Sequence, residues 1–263
     1  MKKKLLYVLL LPLALLAGCD VFSSEPTYGG LSMSGFNYTP YNLSRFVVTD
    51  KYGNKAGGGG DLMPGSGEGR LSCCYTLKGT EFTVDWYVYD QDEFMKNPYA
   101  PIKKIHKVSH VRLPPTKLTG GAGERVLGLH FYPDDHVEFE FRNDLRGTRI
   151  FYSDVRFWLS THHGRLLNPN GEDGSVVFRR TARLAAGAWV KYRLTDTEDL
   201  KQYVYFTLLN PKFDEHPAVG KILAETKGIP GAFGAAMEKL PASVVDAVKR
   251  NKFEREKNGA AHE

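Results

Sequence analysis

Residues 82–89, Phe-Thr-Val-Asp-Trp-Tyr-Val-Tyr, place Phe82, Val84, Trp86 and Val88 at every second position. A strand sends successive side chains to opposite faces, so a strand buries this whole apolar set on one side and a helix does not. Leu31–Tyr38 reads similarly, with Leu31, Met33 and Phe36 as candidates to face inward. Arg45–Thr49, Val108–Leu113, Val126–Phe131 and Val137–Phe141 are further strand candidates, and Tyr132-Pro133-Asp134-Asp135 is a hairpin turn signal between the last two. Ser175–Leu184 and Trp189–Leu194, joined by Ala-Ala-Gly-Ala, predict another hairpin, and Tyr203–Leu208 predicts a last strand. Short strands separated by turns favour a mainly β domain (α+β), built as a β-sandwich or a strongly bent antiparallel sheet. The composition then shifts. His216–Lys227, Gly231–Lys239 and Pro241–Phe253 predict C-terminal helices. Pro241 suits a first-turn position, and Val244, Val245 and Val248 share a face that predicts packing against the domain.

The N-terminus does not belong to this fold. Lys2, Lys3 and Lys4 precede an apolar run, Leu5–Leu16, which is about the length of a signal h-region and short of the roughly 20 residues that span a bilayer. The run ends in Leu16-Ala17-Gly18-Cys19, the pattern of a lipobox. Small residues at 17 and 18 admit a peptidase to the backbone. The Cys19 thiol takes a thioether-linked diacylglycerol, and the freed amine takes a further acyl chain. Several acyl chains on one residue anchor stably where one binds only marginally. Residues 1–18 are thus expected to be a signal peptide, and the mature chain a lipoprotein of the cell envelope facing the periplasm. The membrane contact is expected through this anchor. Asp20, next to the lipidated cysteine, is similar to an inner-membrane retention signal in enterobacteria, but the rule varies and leaves inner and outer membrane both open.

Cleavage also changes the electrostatics. Removing 18 residues from 263 leaves 245, and losing the three lysines lowers the formal charge from +5 to +2. The basic balance that would suggest a nucleic-acid partner largely leaves with the signal, so no nucleic acid is expected. Residues 19–30 carry the lipid anchor and a polar tether ending in Gly29-Gly30. Residues 31–150 are expected to form the β domain, and 151–263 a C-terminal extension of strands followed by helices. Gly57–Gly69 is the stretch richest in breakers and predicts a flexible loop. It lacks the spacing of a phosphate-binding loop.

Apart from Cys19, only Cys73 and Cys74 carry thiols. Two arrangements are open to them in an oxidising compartment. They could form a vicinal disulfide, which would rigidify its turn. Alternatively, a strand would point the two thiols to opposite faces and bury one as a small hydrophobe. Adjacent cysteines lack zinc spacing, and no metal or cofactor is expected.

Enzyme signatures are sparse. The chain has no GxSxG and no HExxH. His106 and His110 are four apart, but their surroundings read as a strand. His130 alternates with Leu129 and Phe131 and is expected to be a structural histidine. Asp134 and Asp135 belong to a turn, and His162-His163 beside Gly164 is expected in a loop. No catalytic residue is assigned, and an enzyme is not expected.

Asn37-Tyr38-Thr39, Gly57–Gly60, Cys73-Cys74 and the strand around Trp86, followed by Pro114 and Leu129-His130-Phe131, resemble in that order a bacterial lipoprotein family, the domain of unknown function 3304. The resemblance covers roughly residues 31–150. The family usually places a tryptophan and a Pro-Gly after the double cysteine, where this chain has the shorter Leu77–Glu81. The resemblance implies an immunity lipoprotein that neutralises a type VI secretion phospholipase effector. That would make the partner a phospholipase effector protein. The contact candidates are the Gly57–Gly69 loop, Tyr87 and Tyr89, and Arg142–Arg149. The alternative is an envelope lipoprotein with a structural or ligand-binding role.

Overall fold

The computed structural model describes residues 25–65, 71–121, 124–143 and 148–250. Eight strands come first: β1 (Thr27–Asn37), β2 (Asn42–Asp50), β3 (Lys55–Leu62), β4 (Ser72–Lys78), β5 (Glu81–Tyr89), β6 (Ile105–Arg112), β7 (Arg125–Phe131) and β8 (Val137–Arg142). They form two four-stranded sheets, ordered β4-β1-β7-β8 and β3-β2-β5-β6. Every pairing is antiparallel except that of β1 with β7. About 37% of the chain is helical and 30% strand, an α+β fold with C-terminal helices.

The two sheets enclose one core. Leu31, Met33, Phe46, Val48, Trp86, Leu129 and Phe131 are among its fully buried members. The Trp86 and Phe46 rings meet Phe131 at 5.1 and 5.2 Å. The indole N–H of Trp86 donates to Ser109 Oγ at 3.0 Å, and that hydroxyl donates to the Asp135 carbonyl at 2.7 Å. The polar atom of the largest core side chain is therefore satisfied, as burial requires.

The glycine run is a strand and not the flexible loop that its composition predicts. Gly57, Gly58 and Gly59 lie opposite Val47, Phe46 and Arg45. The Phe46 ring lies against Gly58, where an added Cβ would sit 2.5 Å from its Cζ. Gly59 has φ +114°, and its Cβ would meet the Arg45 backbone at 2.7 Å. The missing side chains let an aromatic ring and a neighbouring backbone close on β3. Residues 66–70 of that expected loop lie outside the described residues. The expected tether is also shorter, because Thr27–Gly30 already belong to β1.

Helix α1 (Gln91–Lys96) follows β5, with Asp90 accepting from the Asp92 and Glu93 amides at its start. After β8 come α2 (Tyr152–Leu167), α3 (Gly174–Tyr192), α4 (Thr197–Leu209), α5 (Pro217–Glu225), α6 (Ala232–Met237) and α7 (Ala242–Lys249). The hairpin expected over 175–194 and the strand over 203–208 are instead α3 and α4. Asp173 caps α3 through the Ser175 amide, and Asp196 caps α4 through the Glu198 and Asp199 amides. Val177, Thr181, Ala185 and Ala188 then recur at helical spacing and are buried. The Ala-Ala-Gly-Ala read as a turn lies inside α3. The expected C-terminal helices are present as α5, α6 and α7, with Pro217 in the first turn of α5 and Pro241 at the N-cap of α7.

The helices pack at one end of the sandwich. Their core takes in Tyr38 and Tyr132, which follow directly on β1 and β7. The Tyr152 hydroxyl donates to the Tyr38 carbonyl at 3.1 Å. Arg179 and Arg183 of α3 pair with Asp92, and Arg183 also with Asp90. Trp189 stacks on Tyr132 at 5.2 Å.

Candidate interaction surface

Cys19 lies outside the described residues. Cys73 and Cys74 are joined as a vicinal disulfide in β4, and both are exposed. Between the pairs Leu31–Tyr75 and Met33–Ser72, β4 holds one residue more than β1, so the two cysteines occupy a bulge on an edge strand. Edge strands present unpaired backbone, and a bulge breaks the regular ladder that another chain could join.

His130 has no exposed surface. The Arg149 amide donates to the Tyr38 hydroxyl oxygen at 2.9 Å, and an amide can only donate. The tyrosine hydrogen is then free for His130 Nδ1, 3.0 Å away. Nδ1 accepts, so the ring proton sits on Nε2 and is donated to Glu140 Oε2 at 2.8 Å. Phe36 stacks on the ring at 4.7 Å. Burial, and then the Arg149 charge, push the His130 pKa down to about 4. The imidazole is neutral, enclosed and committed at both nitrogens, which is the arrangement of a structural histidine. Nearby, burial raises the Tyr132 phenol to about 12. Burial opposes ionisation of Glu138, but the hydrogen bonds and charges of Arg149 and His136 together outweigh it and lower that carboxyl.

The other histidines lie apart from it. His106 and His110 are on β6 and face outward; His106 meets Asp85 at 2.9 Å and stacks on Tyr87, while His110 meets Thr83 at 3.3 Å. His162 and His163 are not in a loop but in the last turns of α2, where His163 stacks on Tyr205 at 4.2 Å. Asp134 and Asp135 occupy the expected turn, with Asp134 paired to Arg193 and His136 and Asp135 to Lys107. Among the described residues no group of three or more His, Cys, Asp or Glu is arranged to hold a metal. Among them, also, no helix is long and apolar enough to cross a membrane.

The sandwich has two distinct ends. Pairing Asp50 with Phe82, and Glu81 with Arg112, puts the β2–β3 turn and the start of β5 at one end. Glu25 is held there, ion-paired to Lys51 and accepting from the Tyr52 hydroxyl at 2.7 Å. Pairing Asn42 with Tyr89, and Val88 with Ile105, defines the other end, where the helices pack. The seven residue steps from Phe82 to Tyr89 separate the ends by about 23 Å at strand rise.

The helical end carries the most exposed apolar segment. Tyr99 is 99% exposed and Met95 56%, and Ile102 and Ile105 are exposed as well. Lys103 and Lys104 are exposed among them. Exposed apolar side chains followed by cations, on α1 and the segment that leads into an edge strand, make this a candidate interaction surface. Beside it, Arg45 lies 4.6 Å over the Tyr87 ring, which stacks on His106. Tyr87 is thus partly exposed next to this segment. Tyr89 is not: it is buried and donates to Asp61 at 2.7 Å. Of Arg142–Arg149, residues 144–147 lie outside the described residues. Arg142 packs over Phe36, and Arg149 is taken up by Glu138 and Tyr132. Residues 95–104 were missed from sequence because they carry no periodicity. Their signal is an aromatic bracketed by Pro98 and Pro101 and followed by paired lysines.

The helical layer also holds a cavity of about 650 Å³ between the end of α3, α5 and residues 226–230. Leu194, Leu223, Ile229 and Pro230 form its apolar wall, and Lys191, Arg193 and Lys227 lie on its rim. Lys191 and the Tyr192 hydroxyl both donate to Asp214 there.

No protein-family model, no curated protein and no solved structure matches the chain. Its functional reading therefore rests on its own residues and their geometry.

Proposed function

We propose that the protein is a periplasm-facing lipoprotein that acts as an immunity protein, binding and neutralising a phospholipase effector of the type VI secretion system. The lipobox at Leu16–Cys19 and the resemblance carried by Asn37–Thr39, the glycine run and the double cysteine support this reading. The observation that carries it is the fully exposed Tyr99, set among Met95, Ile102, Lys103 and Lys104 at the end of the sandwich away from Glu25. A tyrosine there supplies a rigid, amphipathic anchor at low entropic cost, and truncating such an anchor typically costs a complex about 2 kcal/mol or more. A tether at one end and a contact surface at the other let the protein reach a partner while it stays held at the membrane, where local concentration favours capture.

Co-expression tests the reading. A phospholipase effector encoded beside this chain is directed to the periplasm with and without it. Protection by the wild-type protein, weakened by Tyr99→Ala with Lys103→Glu and Lys104→Glu, is the expected result. Equal killing in the presence and absence of the wild-type protein sinks the proposal.

A second reading, an envelope lipoprotein that binds a small ligand, draws on the 650 Å³ cavity with its apolar wall and basic rim. It predicts saturable binding to the purified domain that is lost on Ile229→Asp and unaffected by Tyr99→Ala.

A further inference from the structure

The end of the sandwich that holds Glu25 has a composition of its own. Asp50 builds the turn there. One of its oxygens accepts from the Tyr52 and Asn54 amides at 2.9 and 3.0 Å, and the other accepts from the Lys78 amide at 2.7 Å. Asp50 is 4% exposed, so its charge is spent inward on the backbone. Glu25 is taken up by Lys51 and Tyr52. The cations Lys55, Lys78 and Arg112 form no ion pair among the described residues, while Lys55 and Arg112 are exposed. Tyr52 is half exposed, with the Lys78 ammonium 4.5 Å from its ring centre. Among the described residues, Glu81 is an exposed carboxylate facing these cations, and Glu25 is partly exposed beside it.

Covalent geometry says what lies opposite this end. Six Cα steps from Cys19 keep Glu25 within about 22 Å of the cysteine even when fully extended. The sandwich adds about 23 Å beyond that point. A chain anchored at Cys19 therefore has this end nearest the bilayer.

We infer that this end docks on an anionic phospholipid surface, with Lys55, Lys78 and Arg112 facing headgroup phosphates and Tyr52 seated at the interface. The inference rests on the lipid-anchor reading of Cys19, but not on the identity of the partner. Aromatic side chains with an apolar body and a polar tip favour the headgroup level, and basic residues near an anionic leaflet each add about fivefold to partitioning. Docking by protein side chains also supplies the second membrane signal that steadies an acyl anchor. It fixes the orientation of the domain, so that Tyr99 points away from the membrane.

The test uses a chain that begins at Asp20. Both hydrophobic cores are built from residues between Tyr28 and Val248, so this chain keeps every core residue and lacks only the signal and anchor. It is sedimented with vesicles of phosphatidylglycerol and phosphatidylcholine, and with vesicles of phosphatidylcholine alone. Binding to the anionic vesicles alone is expected. It should be lost at about 1 M salt, where the screening length falls to about 3 Å. Lys55→Glu, Lys78→Glu and Arg112→Glu together should lower partitioning by about a hundredfold or more. Lys103→Glu with Lys104→Glu should leave it unchanged. If the triple variant misfolds by circular dichroism, the glutamine versions of the same three positions take its place. No binding to anionic vesicles overturns the inference, and so does a greater loss from the Lys103 and Lys104 changes. Either result leaves the periplasmic protection assay free to succeed, so failure here is distinguishable from failure of the immunity reading.

Discussion

Protonating His130 should destabilise this protein as the pH falls from 6.5 toward 4. The ring is fully enclosed, with the Tyr38 hydroxyl on Nδ1 and Glu140 on Nε2. The charges that face it are Glu140, Arg149 and Arg142. Its pKa is about 4 in the folded chain, against 6.5 for the free side chain. The sign follows from proton counting. Below pH 6.5 the unfolded chain binds a proton that the folded chain refuses, so stability falls as pH drops from 6.5 toward 4. At about 1.4 kcal/mol per pH unit, the loss approaches about 3 kcal/mol by pH 4. That is a sizeable part of a typical net stability of about 5–15 kcal/mol. His163, whose pKa is lowered by burial and by His162, adds a smaller loss of the same sign. Urea midpoints measured at half-unit steps from pH 7.5 to pH 4 would trace the decline. His130→Gln keeps one acceptor and one donor but does not titrate. It should be less stable than wild type at pH 7 and much flatter across the same range. If His130→Gln falls as steeply as wild type between pH 6.5 and pH 4, His130 is not the group responsible and the deduced protonation state is wrong.

Other perturbations probe separate joints of the fold. Asp199 is 2% exposed and accepts from the Gly231 and Gly234 amides at 3.0 and 2.8 Å, tying α6 to α4. Asp199→Ala should therefore cost about 1–3 kcal/mol in urea unfolding, and an unchanged midpoint would contradict the role. Asp92→Ala leaves the Arg179 guanidinium, on a residue only 6% exposed, without its carboxylate, and should cost about 3 kcal/mol or more. A double-mutant cycle with Arg179→Met would show whether the cost is that stranded charge; additive losses would argue against it. Gly59→Ala should lower the melting temperature by forcing a Cβ to within 2.7 Å of the Arg45 backbone at positive φ, and a melting temperature equal to wild type would mean that β2 yields freely.

The sandwich was largely legible because its strands follow a period of two. Phe82, Val84, Trp86 and Val88 all face inward, as their spacing requires. The helical half was only partly legible, and the reason is local. α3 is rich in valine, arginine and small residues, and Val176-Val177-Phe178 imitates a strand. Its decisive signals were Asp173 at the cap and the spacing of Val177, Thr181, Ala185 and Trp189, not its propensities. β3 was hidden for the opposite reason: glycine reads as a breaker, and only the Phe46 ring lying on it shows why four glycines belong in a strand. Of the candidate surface, Tyr87 could be assigned from the face opposite Trp86, whereas burial of Tyr89 depends on Asp61, which the sequence alone does not bring near. Tyr99 stands in an aperiodic segment, so its exposure is a property of the tertiary structure.

The parallel pairing of β1 with β7 bears on how the chain reaches this state. β1 is an interior strand of its sheet, yet one of its two neighbours is made from residues far downstream; the Gly29 carbonyl accepts from Arg125, 96 residues away. β1 therefore waits for most of the sandwich to arrive before its second edge is covered. Non-local pairing of this kind slows folding and leaves a strand edge open in the meantime. The interval before β7 arrives is thus the period in which β1 is most open to chaperones and to mispairing with other copies of the chain.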